Sequence, residues 1–244
     1  MLSAIGKTSE PEMHPTMPIV TSPELLVRVE NAQPQSGSVL GRLPAFYPTA
    51  KRAIDVAVSL GMLVVLSPLL LLVALLIKLD GGPVVFRQTR VGKDGREFTF
   101  FKFRSMVVNA DAYKQALMIL NEHKDDRTFK MKHDPRITRV GRVIRKTSID
   151  ELPQLFNILR GEMTLVGPRP AVPSEVAKYT PHERHRLEVT PGLTCTWQVS
   201  GRADLDFSQQ VELDLDYIKR RSLWTDFKLM LKTIPAVLSG KGAY

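Results

Sequence analysis

A chain of 244 residues can hold one or two domains and bury a sizeable core. Its net charge of +9 and isoelectric point near 9.7 point to an anionic partner, either nucleic acid or the inner face of a membrane. A single cysteine, Cys195, excludes an intrachain disulfide and any cysteine-cluster metal site, which suits a reducing cytoplasm.

Residues 1–47 are rich in Pro, Ser, Thr, Glu and Gln, with one short apolar patch, Leu25-Leu26-Val27; this composition predicts a disordered leader. Residues 48–80 form the membrane-active segment. From Val56 to Ile77 it carries no charge, a run long enough for a helix to cross the hydrocarbon core. It begins too far into the chain for a secretory signal and lacks a cleavage site. Ser67-Pro68 interrupts the run, and proline both removes a backbone donor and clashes one turn back. The arm before the break is about 15 residues, or about 22 Å, against a core of about 30 Å. Arg42, Lys51 and Arg52 precede the run and Lys78, Arg87, Arg90 and Lys93 follow it, so the positive-inside tendency draws both ends to the cytoplasm. The prediction is a re-entrant helix-break-helix in which Ser67 satisfies a carbonyl freed by Pro68; the other conformation open to these residues is a kinked single span.

Gly81-Gly82-Pro83 predicts a turn, followed by strands at Val84–Gln88 and Glu97–Arg104 around an Asp94-Gly95 hairpin signal. Asn109–Asn121 reads as a helix, and Lys124–Asp134, with His123 and His133 about it, as a solvated charged loop without metal-ligand spacing. A short basic helix follows over Thr138–Lys146, then a helix over Ile149–Leu159 closed by Gly161, with Leu152, Leu155, Phe156 and Leu159 as its apolar stripe. Gly167-Pro168-Arg169-Pro170 is a rigid turn. Thr180-Pro181-His182-Glu183 is a capping box opening a helix to Val189; Leu193–Val199 reads as a strand, and Ser208 as the cap of a helix to Arg220. The last stretch places Leu223, Trp224, Phe227, Met230, Leu231, Ile234, Val237 and Leu238 at helical spacing, for a face that can lie on a membrane or pack on the core.

Ser148-Ile149-Asp150-Glu151 fits two roles. As a capping box, Ser148 and Glu151 would satisfy a helix start, with both acids favouring the helix dipole. Yet Arg139, Arg142, Arg145 and Lys146 precede the motif and Arg169 follows it, and a helix start among arginines is a phosphate site. Carboxylates there repel a phosphate unless they bind a cation or attack the phosphorus. Mg²⁺ commonly meets protein through one or two carboxylates plus phosphate oxygens, and aspartate can accept a phosphoryl group covalently.

Lys51-Arg52, the proline-broken segment, Phe86-Arg87-Gln88 with Arg90 and Gly92, Lys102-Phe103-Arg104-Ser105-Met106, Asp134-Pro135-Arg136-Ile137-Thr138, Ser148 through Gln154, Val166-Gly167-Pro168-Arg169-Pro170 and Trp197 through Arg202 resemble the bacterial sugar transferase family over about residues 48 to 244. These are the monotopic polyprenyl-phosphate hexose-1-phosphate transferases that begin exopolysaccharide and O-antigen assembly. The resemblance implies an α+β monotopic membrane protein: a re-entrant helix broken at Ser67 and Pro68, then a mainly helical cytoplasmic catalytic domain, residues 81–244, with a small β-hairpin. It further implies that Asp150 attacks the β-phosphate of a UDP-sugar and expels UMP, that Glu151 binds Mg²⁺, and that polyprenyl phosphate takes the phosphosugar. Lys51, Arg52, Arg145 and Arg169 carry over as substrate and phosphate ligands, and Asp214 as a further acid. The implied location is the cytoplasmic face of the bacterial inner membrane, with membrane lipids as partners and the oligomeric state open between monomer and homodimer. Set beside the larger members, the expectation is a polar leader in place of their four-span region, and Cys195 stands where many relatives have glycine, beside the expected sugar site.

Physical chemistry agrees in outline. Arginines at a helix start would lower the pKa of a nucleophilic carboxylate and neutralise a diphosphate, and a polyprenol tail held in lipid requires an active site at the interface. Two rivals remain: a membrane-anchored nucleic-acid binder, disfavoured because few aromatics interleave the arginines, and an inactive scaffold of the same fold, disfavoured because Asp150, Glu151 and Arg169 are all present.

Overall fold

The computed structural model describes residues 40, 43–110, 112, 113, 131, 134–200 and 205–239. Nearly all of the expected leader lies outside the described residues, as do most of the predicted Asn109–Asn121 helix and the charged loop after it.

The apolar segment folds as two helices, α1 (Tyr47–Val65) and α2 (Ser67–Leu79), bent by 63° at Leu66. Pro68 has no N–H to give to Val64 O, four residues back, and the Ser67 hydroxyl donates to that carbonyl instead, at 2.8 Å. Among the described residues no single helix is long and apolar enough to cross a membrane; α1 and α2 meet that test together, as a bent pair. Val73 and Ile77 pack α2 against Phe103 and Ile144, while Val64, Val65, Leu71, Leu72, Leu75 and Leu79 remain exposed around the break and along the outer face.

β1 (Val85–Val91) and β2 (Glu97–Phe103) form the expected antiparallel hairpin, with Val85 opposite Phe103 and Val91 opposite Glu97. Asp94 (φ 56°) and Gly95 (φ 76°) make the turn, as the Asp-Gly signal requires. β1 runs three residues beyond the predicted Gln88, because pairing continues and Val91 N also donates to Ala171 O at 2.9 Å.

α3 (Arg139–Lys146) is capped by Thr138, whose hydroxyl accepts from Gly141 N. The continuous helix expected over Ile149–Leu159 is instead a 3₁₀ turn, Ile149–Glu151, and then α4 (Gln154–Arg160), closed by Gly161 at φ 82°. Pro153 separates the two by withholding a donor. The predicted stripe shifts with it: Leu155 and Ile158 are fully buried, whereas Phe156 faces out. β3 (Thr164–Val166), α5 (Pro173–Val176) and α6 (Pro181–Arg184) follow, and the capping box of Thr180 and Glu183 forms as predicted.

β4 (Gly192–Thr194) pairs in parallel with β3, a second small sheet not foreseen in the sequence. The strand expected to Val199 stops at Thr194, since β3 offers only three residues to pair, and α7 (Thr196–Ser200) takes its place. α8 (Phe207–Arg220) is capped by Asp206 with Gln209 rather than by Ser208, whose hydroxyl donates to Asp206. α9 (Leu223–Ser239) buries Asp226 and Leu229 on one face, as core packing requires, and leaves Trp224, Phe227, Leu231, Ile234 and Leu238 exposed.

Phe100 of β2, Leu155 and Ile158 of α4, Val166 of β3 and Val211, Leu215 and Ile218 of α8 meet in one core. The α+β expectation holds, and the 3₁₀ turn carrying Asp150 and Glu151 lies at the border of that core.

Candidate active site

Ser148 does not cap. It adopts a left-handed conformation (φ 54°, ψ 17°), its side chain makes no capping bond, and Glu151 N bonds to the backbone O of Ser148 at 3.1 Å. A non-glycine residue there carries strain of about 1–3 kcal/mol, and such residues concentrate at functional sites. The consequence is directional: the chain leaves α3 sharply and turns Asp150 inward, where it is 5 % exposed.

Cations from two other elements meet the dyad. Lys102 Nζ, on β2, lies 2.7 Å from Glu151 Oε1 and 3.5 Å from Asp150 Oδ2. Arg169 Nη1 lies 3.2 Å from the same Glu151 oxygen. Burial opposes charge at Glu151, but Lys102 and Arg169 outweigh it and hold the carboxyl down to about 2. At Asp150 the balance is reversed: burial, with the Glu151 charge beside it, pushes the carboxyl above its ordinary value against the pull of Lys102, Arg145 and Arg169. The expected lowering at Asp150 is therefore corrected. The helix start that was to lower it is a single 3₁₀ turn, and desolvation exceeds what the cations return.

The turn that presents Arg169 is pinned along its length. Gly167 N donates to Thr194 O at 3.0 Å, Gly192 N to Pro168 O at 2.8 Å and Arg90 Nη1 to Pro170 O at 2.9 Å. The approach admits no side chain, since a Cβ on Gly192 would lie 2.1 Å from Gly167 N. Arg90 stacks 5.1 Å from the Phe100 ring centroid, with Lys102 Nζ at 5.7 Å from the same ring. Burial and the neighbouring Arg169 bring the Arg90 guanidinium down to about 10. An arginine fixed before an anion arrives stabilises it without reorganisation.

The other residues singled out in the sequence fall in different places. Arg145 ends α3 half-buried, and its charge lowers the pKa of Asp150, so it belongs to the site. Lys51 and Arg52, expected among the phosphate ligands, are committed elsewhere. Lys51 Nζ donates to Val166 O at 3.0 Å and pairs with Asp226 at 2.8 Å, while Arg52 caps the C-terminal carbonyls of α4, with Nη1 2.5 Å from Ile158 O and Nη2 2.8 Å from Leu159 O. Asp214 is fully buried on α8 and paired with Arg186, 2.9 Å from Nη2, with no contact to the dyad. Burial, against the pull of Arg186, raises its carboxyl to about 6. Cys195 is buried directly after Thr194, whose carbonyl accepts from Gly167 N, and burial together with the Asp214 charge pushes its thiol up. Ser67 and Pro68 make the break, as expected.

Sequence reasoning noted Lys102 only as part of a motif. The available signal was period: in Phe98-Thr99-Phe100-Phe101-Lys102-Phe103, Lys102 shares a strand face with the buried Phe100, where a lysine needs an acidic partner. No group of three or more His, Cys, Asp or Glu able to hold a metal occurs among the described residues. Mg²⁺ needs less: one or two carboxylates suffice when substrate phosphates and water complete the shell, and the adjacent Asp150 and Glu151 have that donor chemistry.

A buried acid dyad paired with a lysine and with an arginine on a pinned turn is a polar, charged cluster set into the edge of an apolar core. The chain belongs to the bacterial sugar transferase family, whose model matches residues 46–240. It is 45 % identical over 195 residues to the galactosyl transferase CpsE of Streptococcus agalactiae, covering 80 % of this chain and 43 % of that protein. It is 44 % identical over 197 residues to the undecaprenyl-phosphate galactose phosphotransferase of Salmonella typhimurium, covering 80 % and 41 %. To the exopolysaccharide production protein ExoY of Sinorhizobium fredii it is 44 % identical over 199 residues, covering 80 % and 88 %. The chain thus spans about two fifths of the length of the first two relatives and most of the third.

Proposed function

We propose that the protein transfers a hexose-1-phosphate from a UDP-sugar to polyprenyl phosphate, with release of UMP, as the first step of exopolysaccharide or O-antigen assembly. The observation that carries this reading is that Ser148 and Glu151 form no capping box. Instead, Glu151 is held by Lys102 and Arg169, and Asp150 is turned inward beside them. In the first step a carboxylate oxygen of Asp150 attacks the β-phosphorus of the UDP-sugar; the bond from that phosphorus to the bridging oxygen breaks, and UMP leaves with the electron pair. In the second, a phosphate oxygen of the polyprenyl phosphate attacks the same phosphorus, breaking the acyl phosphate and restoring Asp150. Arg169 and Arg145 bind and orient the diphosphate, and Lys102 with Arg169 keeps Glu151 ionised. Glu151 is the ligand for Mg²⁺, which neutralises phosphate charge when bound.

The test is to supply UDP-sugar and Mg²⁺ without polyprenyl phosphate and to weigh the protein. The expected product carries one phosphosugar on Asp150, and Asp150→Asn carries none. Because only the ionised carboxylate attacks and its pKa is raised, labelling falls off with acid above the ordinary carboxylate value of 3.8. Sustained turnover by Asp150→Asn would overturn the mechanism. Running the screen over UDP-glucose, UDP-galactose and their N-acetylated forms identifies the sugar.

The same reading places the enzyme at the cytoplasmic face of the bacterial inner membrane. The 63° bend, the exposed leucines around it and the basic residues at both ends favour α1 and α2 entering one leaflet and returning. On α9 the exposed stripe from Trp224 to Leu238, flanked by Lys228 and Lys232, has the character of an interfacial helix. Cysteine labelling in intact cells is expected to find residues before Lys51 and at Lys93 both shielded from outside; outside access before Lys51 would establish a span.

A further inference from the structure

The helix that opens the apolar segment is also fastened to the strand that leads to Arg169. Lys51 and Asp55 lie one turn apart on one face of α1 and between them touch every residue of β3. Asp55 Oδ2 accepts from the Thr164 hydroxyl at 2.6 Å and its Oδ1 from Leu165 N at 3.0 Å; Lys51 Nζ donates to Val166 O at 3.0 Å. Asp55 is 4 % exposed, within a helix whose apolar run starts at the next residue. A buried carboxylate there is costly unless its acceptors are used, and both of them are.

Lys51 also closes a second set of contacts around Asp226 of α9. Asp226 Oδ2 accepts from Lys51 and from the Tyr47 hydroxyl, at 2.8 and 3.1 Å. The Tyr217 hydroxyl lies 2.7 Å from Asp226 Oδ1 and 2.9 Å from Val166 O, with one proton to give. The Lys51 ammonium is therefore the donor that leaves neither acceptor unsatisfied. Val166 is followed directly by Gly167-Pro168-Arg169-Pro170, in which two prolines fix φ and the backbone is pinned to Thr194, Gly192 and Arg90. With so little slack, displacement of Val166 moves Arg169.

We propose that Lys51 and Asp55 are positioning residues for Arg169: they register β3 on α1, so that the helix seated in the membrane sets the distance between the phosphate-binding guanidinium and the Asp150–Glu151 dyad. This rests on the reading of Arg169 as a substrate-phosphate ligand. It also assigns Lys51 a role at the active site without any contact to substrate.

The test compares full-length variants in UMP release, with kcat and KM for the nucleotide sugar measured separately and thermal unfolding followed alongside. Lys51→Met and Asp55→Asn are expected to lower kcat/KM by up to about 10²-fold, the scale of a misplacement near 1 Å. Tyr47→Phe removes a hydrogen bond from the same Asp226 oxygen without touching Val166; it is expected to lower the unfolding temperature, less than Lys51→Met does, and to keep full activity. In an Arg169→Ala background, Lys51→Met should cost no further activity, a coupling that a purely structural role does not produce. The proposal is overturned if Lys51→Met is as active as Tyr47→Phe while Arg169→Ala is impaired, or if the Lys51 and Arg169 losses multiply. Should Lys51→Met fail to fold, Asp55→Asn decides by the same comparison. A fully active Arg169→Ala instead overturns the assignment of Arg169, and this proposal with it.

Discussion

Ser148-Ile149-Asp150-Glu151 and Thr180-Pro181-His182-Glu183 share one local pattern, a hydroxyl three residues ahead of a glutamate, and they fold differently. At Thr180 the reciprocal bonds form: Glu183 N donates to Thr180 Oγ1 at 3.3 Å and Thr180 N to Glu183 Oε2 at 2.7 Å. At Ser148 the backbone is left-handed, the side-chain cap is absent, and Glu151 turns to Lys102 and Arg169. The difference lies in what surrounds each glutamate. Thr180 and Glu183 make their bonds at the surface, where a capping box is worth about 1 kcal/mol and meets little competition. Glu151 lies against two cations that need a counter-charge in a poorly solvated place, and hydrogen bonds to charged groups are worth about 1.5–3 kcal/mol each. Local propensity yields where a stronger tertiary partner is available.

Glu151→Gln breaks the comparison most sharply. Glutamine serves a capping box as well as glutamate does, so a capping role predicts no change, whereas the proposed Mg²⁺-binding role predicts a fall in kcat of about 10²–10³-fold, the scale of removing one charge-stabilising group. UMP release titrated with Mg²⁺ measures it, with a weakened metal dependence expected; full activity in this variant would return the dyad to a structural role. Thr180→Ala is the smaller and opposite case. It should cost about 1 kcal/mol of stability, or about 2–4 °C in Tm for a domain of this size, with kcat and KM unchanged. A kinetic defect there would show that α6 reaches the active site and that the two patterns are less different than their geometry indicates.

A second contrast, between Lys51 and Lys102, shows how far charge can be read without a fold. Both are lysines in motifs that the resemblance marks out, and phosphate binding was expected of Lys51. The structure reverses the emphasis: Lys102 joins the dyad, and Lys51 is held by Val166 and Asp226. The partners lie 115 and 175 residues from Lys51 and 49 from Lys102 on the Glu151 side, so no local spacing could have distinguished them.

Sequence alone determined the features whose causes are local. Pro68 must break the apolar helix because it has no donor and collides with the preceding turn, and Ser67 is the adjacent hydroxyl able to satisfy Val64 O. Asp94-Gly95 must turn the chain because it tolerates positive φ, and the Thr180 box needs only four consecutive residues. The order of the motifs likewise announced the family. Tertiary structure decided what depends on distant partners: the left-handed Ser148, the division of Ile149–Leu159 at Pro153, the parallel pairing that ended the expected strand at Thr194, and the raised pKa of Asp150. Each is settled by burial or by a charge brought from another element, and neither quantity exists until the chain has closed on itself.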